Sequence, residues 1–76
     1  MGRMRILDRT GDSVVEWQID DQRAVQQAES IFKEKLLARH IAFARPQGAT
    51  HEEAERIFSF DPNAEEIIWV RPIQGG

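Results

Sequence analysis

The chain has 76 residues, enough for one domain with a modest core, and its lack of cysteine excludes disulfides, a cysteine-ligated zinc site and a thiol nucleophile. Its net charge of −3 argues against a general nucleic-acid binder, which would present a basic face to phosphate. No apolar run exceeds four residues, as in Ile67–Val70, so we expect no membrane span and no signal peptide, and a cytoplasmic protein.

A β-hairpin is predicted at the start of the chain. The two β-rich runs Arg5–Asp8 and Val14–Ile19 flank Gly11, which supplies the positive φ that a tight reversal needs. Successive side chains of a strand point to opposite faces. The face expected to point to the core in the second run carries Val15, Trp17 and Ile19.

A long amphipathic helix follows the hairpin. Asp20 or Asp21 offers an N-cap carboxylate, and the helix is expected to reach about Ala38. Its apolar side chains recur at steps of three or four residues and form one stripe, which is typical of a helix with one buried face. The stripe consists of Val25, Ala28, Ile31, Phe32 and Leu36.

The second half of the chain is predicted to be strand-rich. Ile41–Arg45 has a strand pattern in which residues 41 and 43 share a face. Thr50 and Glu53 have the spacing of a capping box, which favours either a short helix or a loop that leads into a strand. Ile57–Phe60 and Ile67–Val70 are predicted to form a second hairpin around a turn at residues 61–64. The predicted order is therefore β-β-α-β-β-β.

The last predicted strand has two possible orientations. Trp69 lies on the opposite face from Ile68 and Val70. If Trp69 points outward, it forms with Arg71 and Ile73 an apolar patch that leads to the end of the sequence; if it points under the helix, Ile68 and Val70 are the half-exposed pair. The pattern leaves both open, and all five residues are candidates for binding a partner.

The element order and the pair Gly75-Gly76 after the last strand are similar to ubiquitin and the β-grasp carriers. Arg71–Gly76 also resembles the Pro-x-x-Gly-Gly ends of sulfur carriers of the molybdopterin-synthase and thiamin type. The resemblance implies an α+β fold of the ubiquitin-like β-grasp class, in which one long helix packs across a mixed sheet of four to five strands. This domain would span residues 1–72, followed by a flexible tail at 73–76.

The resemblance also implies a chemistry. An activating enzyme would adenylate the carboxylate of Gly76, which would then pass to a thiol or amine or receive sulfur as a thiocarboxylate, while Gly75 provides clearance because it has no side chain. The implied partners are this adenylating enzyme and a downstream conjugating or sulfur-transfer protein. We further expect a monomer that needs no cofactor and binds neither nucleic acid nor membrane.

No residue pattern indicates an enzyme. His51 opens a segment that begins like a zincin helix, but Glu55 stands where the second histidine ligand would be, so we expect neither a metal site nor catalytic residues. Six acids between Glu52 and Glu66 against one base, Arg56, form either a solvated face or a surface that steers a basic partner. The second functional hypothesis is a β-grasp interaction module that binds a partner through its open sheet face or an edge strand, without carrier chemistry.

Overall fold

The computed structural model describes residues 1–8 and 11–71. These residues form an α+β structure in which one helix packs on a five-stranded mixed sheet. The order β-β-α-β-β-β agrees with the prediction, and the alternative of a short helical turn before the fourth strand is confirmed. The elements are β1 (Gly2–Asp8), β2 (Gly11–Trp17), α1 (Gln22–Leu37), β3 (Ile41–Pro46), a 3₁₀ turn (His51–Glu53), β4 (Glu55–Ile57) and β5 (Ala64–Val70).

The sheet has the strand order β2-β1-β5-β3-β4, with β5 at its centre. β5 runs parallel to β1 and antiparallel to β3, and β4 pairs with β3. The predicted hairpin between the last two strands is therefore wrong. Its turn does form, because the Ala64 amide donates to the Asp61 carbonyl at 3.2 Å, but Phe58–Phe60 lies outside the strands and β5 inserts between β1 and β3.

The first hairpin is confirmed, and both of its strands begin three residues earlier than predicted. β1 begins at Gly2, and β2 begins at Gly11, whose φ of 122° is readily adopted only by glycine. Trp17 is buried on the face toward α1, as predicted, and its indole Nε1 donates to the Pro62 carbonyl at 3.0 Å. Ile19 departs from the prediction, because β2 ends at Trp17 and Ile19 is left 55% exposed.

The helix prediction is confirmed at both ends. Asp21 is the N-cap, and its carboxylate accepts from the Ala24 amide at 3.2 Å. Ala38 is the C-cap, followed by Arg39 in the left-handed region with a φ of 65°. The predicted apolar stripe faces the sheet, with Ala28 and Phe32 buried and the remaining members partly buried.

Aromatic rings fill the space between α1 and the sheet. Phe32 of α1 contacts Trp69 of β5, with ring centroids 4.8 Å apart, and Phe60, with centroids 5.9 Å apart. The Trp17 and Phe60 centroids are 5.1 Å apart, so one aromatic cluster joins β2, α1, β5 and the segment that precedes β5. Ala42 is fully buried opposite Trp69 across the β3–β5 pair, and its small side chain leaves room for the indole.

Gly2 is expected to be the most sensitive glycine of the described chain. It is buried, and a Cβ placed on it would overlap the indole of Trp17, its cross-strand partner. Because that indole is itself buried and hydrogen-bonded, Gly2→Ala should lower the free energy of unfolding by about 1–3 kcal/mol. Urea denaturation would measure the loss. The control is Arg3→Ala, an exposed neighbour in the same strand, and equal effects of the two substitutions would contradict this packing.

Candidate functional site: the open face of the sheet

The candidate site is the face of the sheet that α1 leaves uncovered, which we call the open face. On β1, β3 and β5, alternate residues point to α1 and are buried, and the residues between them point to the open face. Three of its apolar side chains are about half exposed: Val70 at 42%, Leu7 at 45% and Val14 at 50%. The apolar residues of the open face are Leu7, Val14, Ile41, Phe43, Ile68 and Val70.

One row of the open face crosses all five strands. Strand register places Val14 opposite Arg5, Arg5 beside Ile68, Ile68 opposite Phe43, and Phe43 opposite Arg56. Ile68 and Phe43 are partly buried by their neighbours in the sheet. The row therefore has an apolar centre with an arginine on either side, and we call it the central row.

The structure decides the orientation of Trp69. Its side chain is 0% exposed and packs under α1 against Phe32, so the inward alternative is correct. Ile68 and Val70 are the outward pair, and Arg71 is exposed just beyond β5. Trp69 is thus no part of an exposed patch, whereas Ile68, Val70 and Arg71 stay predicted partner-binding residues.

The remaining predicted residues lie in the last part of the sequence. Ile73 of the proposed patch, and Gly75 and Gly76 of the proposed activation site, lie outside the described residues. The structure therefore tests none of these three predictions.

A charged cluster lies beside the central row, and sequence reasoning missed it. Glu66 is only 5% exposed although it belongs to the open face. Its carboxylate is 4.0 Å from Arg5 Nη1 and 3.7 Å from Arg45 Nε. Arg45 also bonds Glu65 and donates from Nη1 to the Ala49 carbonyl at 2.9 Å. The only signal in the sequence was an acid directly before the predicted strand Ile67–Val70.

This cluster is electrically balanced, since it contains two arginines and two glutamates. A buried carboxylate is tolerated only where cations or donors compensate for lost hydration, and Arg5 and Arg45 provide that compensation for Glu66. The cluster joins β1, β5, β3 and the segment after β3, so its role is structural. It also means that the acidic run from Glu52 to Glu66 is not one solvated face, because its last member is buried.

The other end of the central row has a different character. The guanidinium of Arg56 lies over the ring of Phe58, 4.7 Å from its centroid. Phe58 is 66% exposed. Phe58 belongs to the predicted strand Ile57–Phe60, but β4 ends at Ile57 and Phe58 lies just beyond it.

Within residues 1–8 and 11–71, no group of three or more histidine, aspartate or glutamate side chains is placed to hold a metal ion. No helix of this part is long and apolar enough to cross a membrane. No protein-family model, curated protein or solved structure matches the chain.

Proposed function

We propose that the chain is a ubiquitin-like carrier or protein modifier of the β-grasp class, with Gly76 as the residue that is activated. The observation that carries the proposal is the position of β5. This strand lies between β1 and β3 at the centre of the sheet, and the sequence continues from it through Arg71 to Gly75-Gly76. One helix on a five-stranded mixed sheet is compatible with a β-grasp.

The proposed chemistry joins Gly76 to an acceptor amine in three steps. The Gly76 carboxylate attacks the α-phosphorus of ATP on an adenylating enzyme and displaces pyrophosphate. A cysteine thiol then attacks the acyl adenylate, which releases AMP and forms a thioester, and an acceptor amine displaces the thiol to form an amide. In the sulfur branch, hydrosulfide attacks the acyl adenylate instead, which releases AMP and leaves a thiocarboxylate. Gly75 and Gly76 suit a narrow enzyme channel because neither carries a side chain.

The open face would supply the second half of this function, the recognition of partners. Ile68 and Val70 lie on the strand that leads to Gly75-Gly76, so a partner on this face would be held near the activated residue. Exposed apolar residues on the face of a small protein are common anchors for protein partners.

The second candidate function is a non-covalent β-grasp interaction module. It is favoured by the same half-exposed apolar residues, Leu7, Val14 and Val70, which would bind a partner whether or not Gly76 reacts. The two candidates differ only in what happens at Gly76.

Intact mass spectrometry of the chain recovered from its native host tests the proposal. The comparison is with a variant that lacks Gly75 and Gly76. We expect species that need the two glycines: either adducts with other proteins, or a free chain heavier by the difference between sulfur and oxygen. If both forms give only unmodified masses in every growth condition tried, carrier chemistry is ruled out and the interaction module remains. The same spectra report whether Gly76 carries the free carboxylate of the mature protein.

A further inference from the structure

Arg56 differs from Arg5 and Arg45, its neighbours on the open face, in having no ion-pair partner among the described residues. Arg5 and Arg45 are both paired with Glu66. Among the described residues, no carboxylate comes within 4.0 Å of the Arg56 guanidinium. The central row thus ends in an uncompensated cation on a protein whose net charge is −3.

The setting of Arg56 favours recognition of a carboxylate. Its guanidinium is stacked over Phe58, which restricts the side chain while its N–H donors stay available at the edge of the plane. A planar guanidinium pairs with a carboxylate through two parallel hydrogen bonds. The 66% exposed Phe58 ring adds apolar area next to this cation.

The central row places this cation at a defined distance from apolar side chains. Arg56 lies two strand positions from Ile68, with Phe43 between them. At the usual strand separation this corresponds to about 10 Å. An extended peptide covers that distance in about three residues, and a helix covers it in about seven.

We infer that the open face binds an acidic, apolar peptide segment of a partner protein, with an apolar side chain on Ile68 and Phe43 and an aspartate or glutamate on Arg56. The inference rests on the proposed function in taking the open face as the partner surface. Charge complementarity selects the acidic segment. A nucleic acid fits less well, because its phosphates would meet Glu65 and Glu66 beside Arg5 and Arg45.

The test is a selection of random peptides of about 12 residues displayed against the whole chain, long enough to cover the row in either conformation. We expect selected peptides to share an acidic residue at a fixed spacing from leucine, isoleucine, valine or phenylalanine. Nuclear magnetic resonance shifts on peptide addition should map to Phe43, Arg56 and Ile68. Peptides that are basic or neutral, an absence of binders, or shifts elsewhere would overturn the inference.

Arg56→Gln should lower the affinity of the chain for the selected peptides at least about tenfold, as expected for a residue at the centre of an interface. Arg56→Lys keeps the charge but loses the planar fork, so it should fall between Arg56→Gln and the parent chain. The matched control is Arg3→Gln, which removes an exposed arginine of the same face outside the row and should change affinity no more than about twofold. Equal losses at positions 3 and 56 would contradict a specific role for Arg56, and thermal melts of each variant verify folding.

Two further arms separate the competing explanations. In the first, a labelled selected peptide is bound to the chain and displaced either by the same peptide without label or by a single-stranded oligonucleotide. If the oligonucleotide displaces it at the lower concentration, nucleic-acid binding replaces this inference. The variant without Gly75 and Gly76 should bind the peptides as the parent chain does. Failure of the carrier chemistry and failure of this inference therefore give different results.

Discussion

Trp69→Ala is expected to lower the free energy of unfolding by about 3–5 kcal/mol. The side chain is 0% exposed, lies on the central strand and contacts Phe32 of α1, so its removal leaves a cavity between the helix and the sheet. Its indole Nε1 has no hydrogen-bond partner within the described part of the chain, and the contribution of Trp69 comes from packing. A protein of this length has a total stability of about 4–11 kcal/mol, so the variant would be at most marginally folded.

Urea denaturation followed by far-ultraviolet circular dichroism would measure this effect. The control is Val70→Ala, the next residue of the same strand, which is 42% exposed on the open face and should cost no more than about 1 kcal/mol. The reverse order, with Val70 the more costly position, would mean that β5 presents Trp69 to solvent after all.

Glu66→Ala is expected to lower the free energy of unfolding by about 3 kcal/mol, a large effect for one side chain on the open face. The carboxylate side chain is 6% exposed between Arg5 and Arg45, and its loss leaves the 15% exposed Arg45 with Glu65 as its acidic neighbour. Removing one member of a buried ion pair costs more than the pair contributes, because the remaining charge is poorly hydrated. Guanidinium or urea titration of the variant measures the loss.

Glu16→Ala is the matched control for Glu66→Ala. Glu16 is an exposed acid of the same face, opposite Arg3, and the interaction of two exposed charges contributes no more than about 1 kcal/mol. The small effect at Glu16 should shrink further in high salt, whereas the effect at Glu66 should change little because salt screens buried pairs weakly. Similar losses and similar salt dependence at both positions would contradict the burial of Glu66.

Local signals predicted the helix and the first hairpin correctly. The Asp21 cap and the three- and four-residue spacing of apolar side chains act within a few turns, and Gly11 marks the reversal by its own backbone preference. The second hairpin failed because turn residues specify a local bend and not the partner of the following strand. The pairing of β5 with β1 depends on contacts between opposite ends of the sequence.

The candidate site was only partly predictable for the same reason. Residues 67–70 are apolar at every position, so alternation could not tell which face meets the helix until the strand was placed in the sheet. The contacts of Glu66 with Arg5 and Arg45 join three strands, so they could not be foreseen before the order and register of those strands were known. The stacking of Arg56 on Phe58 depends on the end of β4 at Ile57, and the sequence pattern had extended that strand to Phe60.

The most direct measurement of the central proposal is peptide-level mass spectrometry of proteins linked to the chain in its native host. A protease that cleaves after glutamate is suitable, because Glu66 would leave residues 67–76 on the acceptor, whereas Arg71 precedes a proline and resists trypsin. The proposed carrier function gives Gly76 bonded through its carbonyl to an acceptor amine, or ending in a thiocarboxylate. Finding residues 67–76 only as an unlinked peptide with an ordinary carboxylate, or continued by further residues in every molecule, would contradict the proposal.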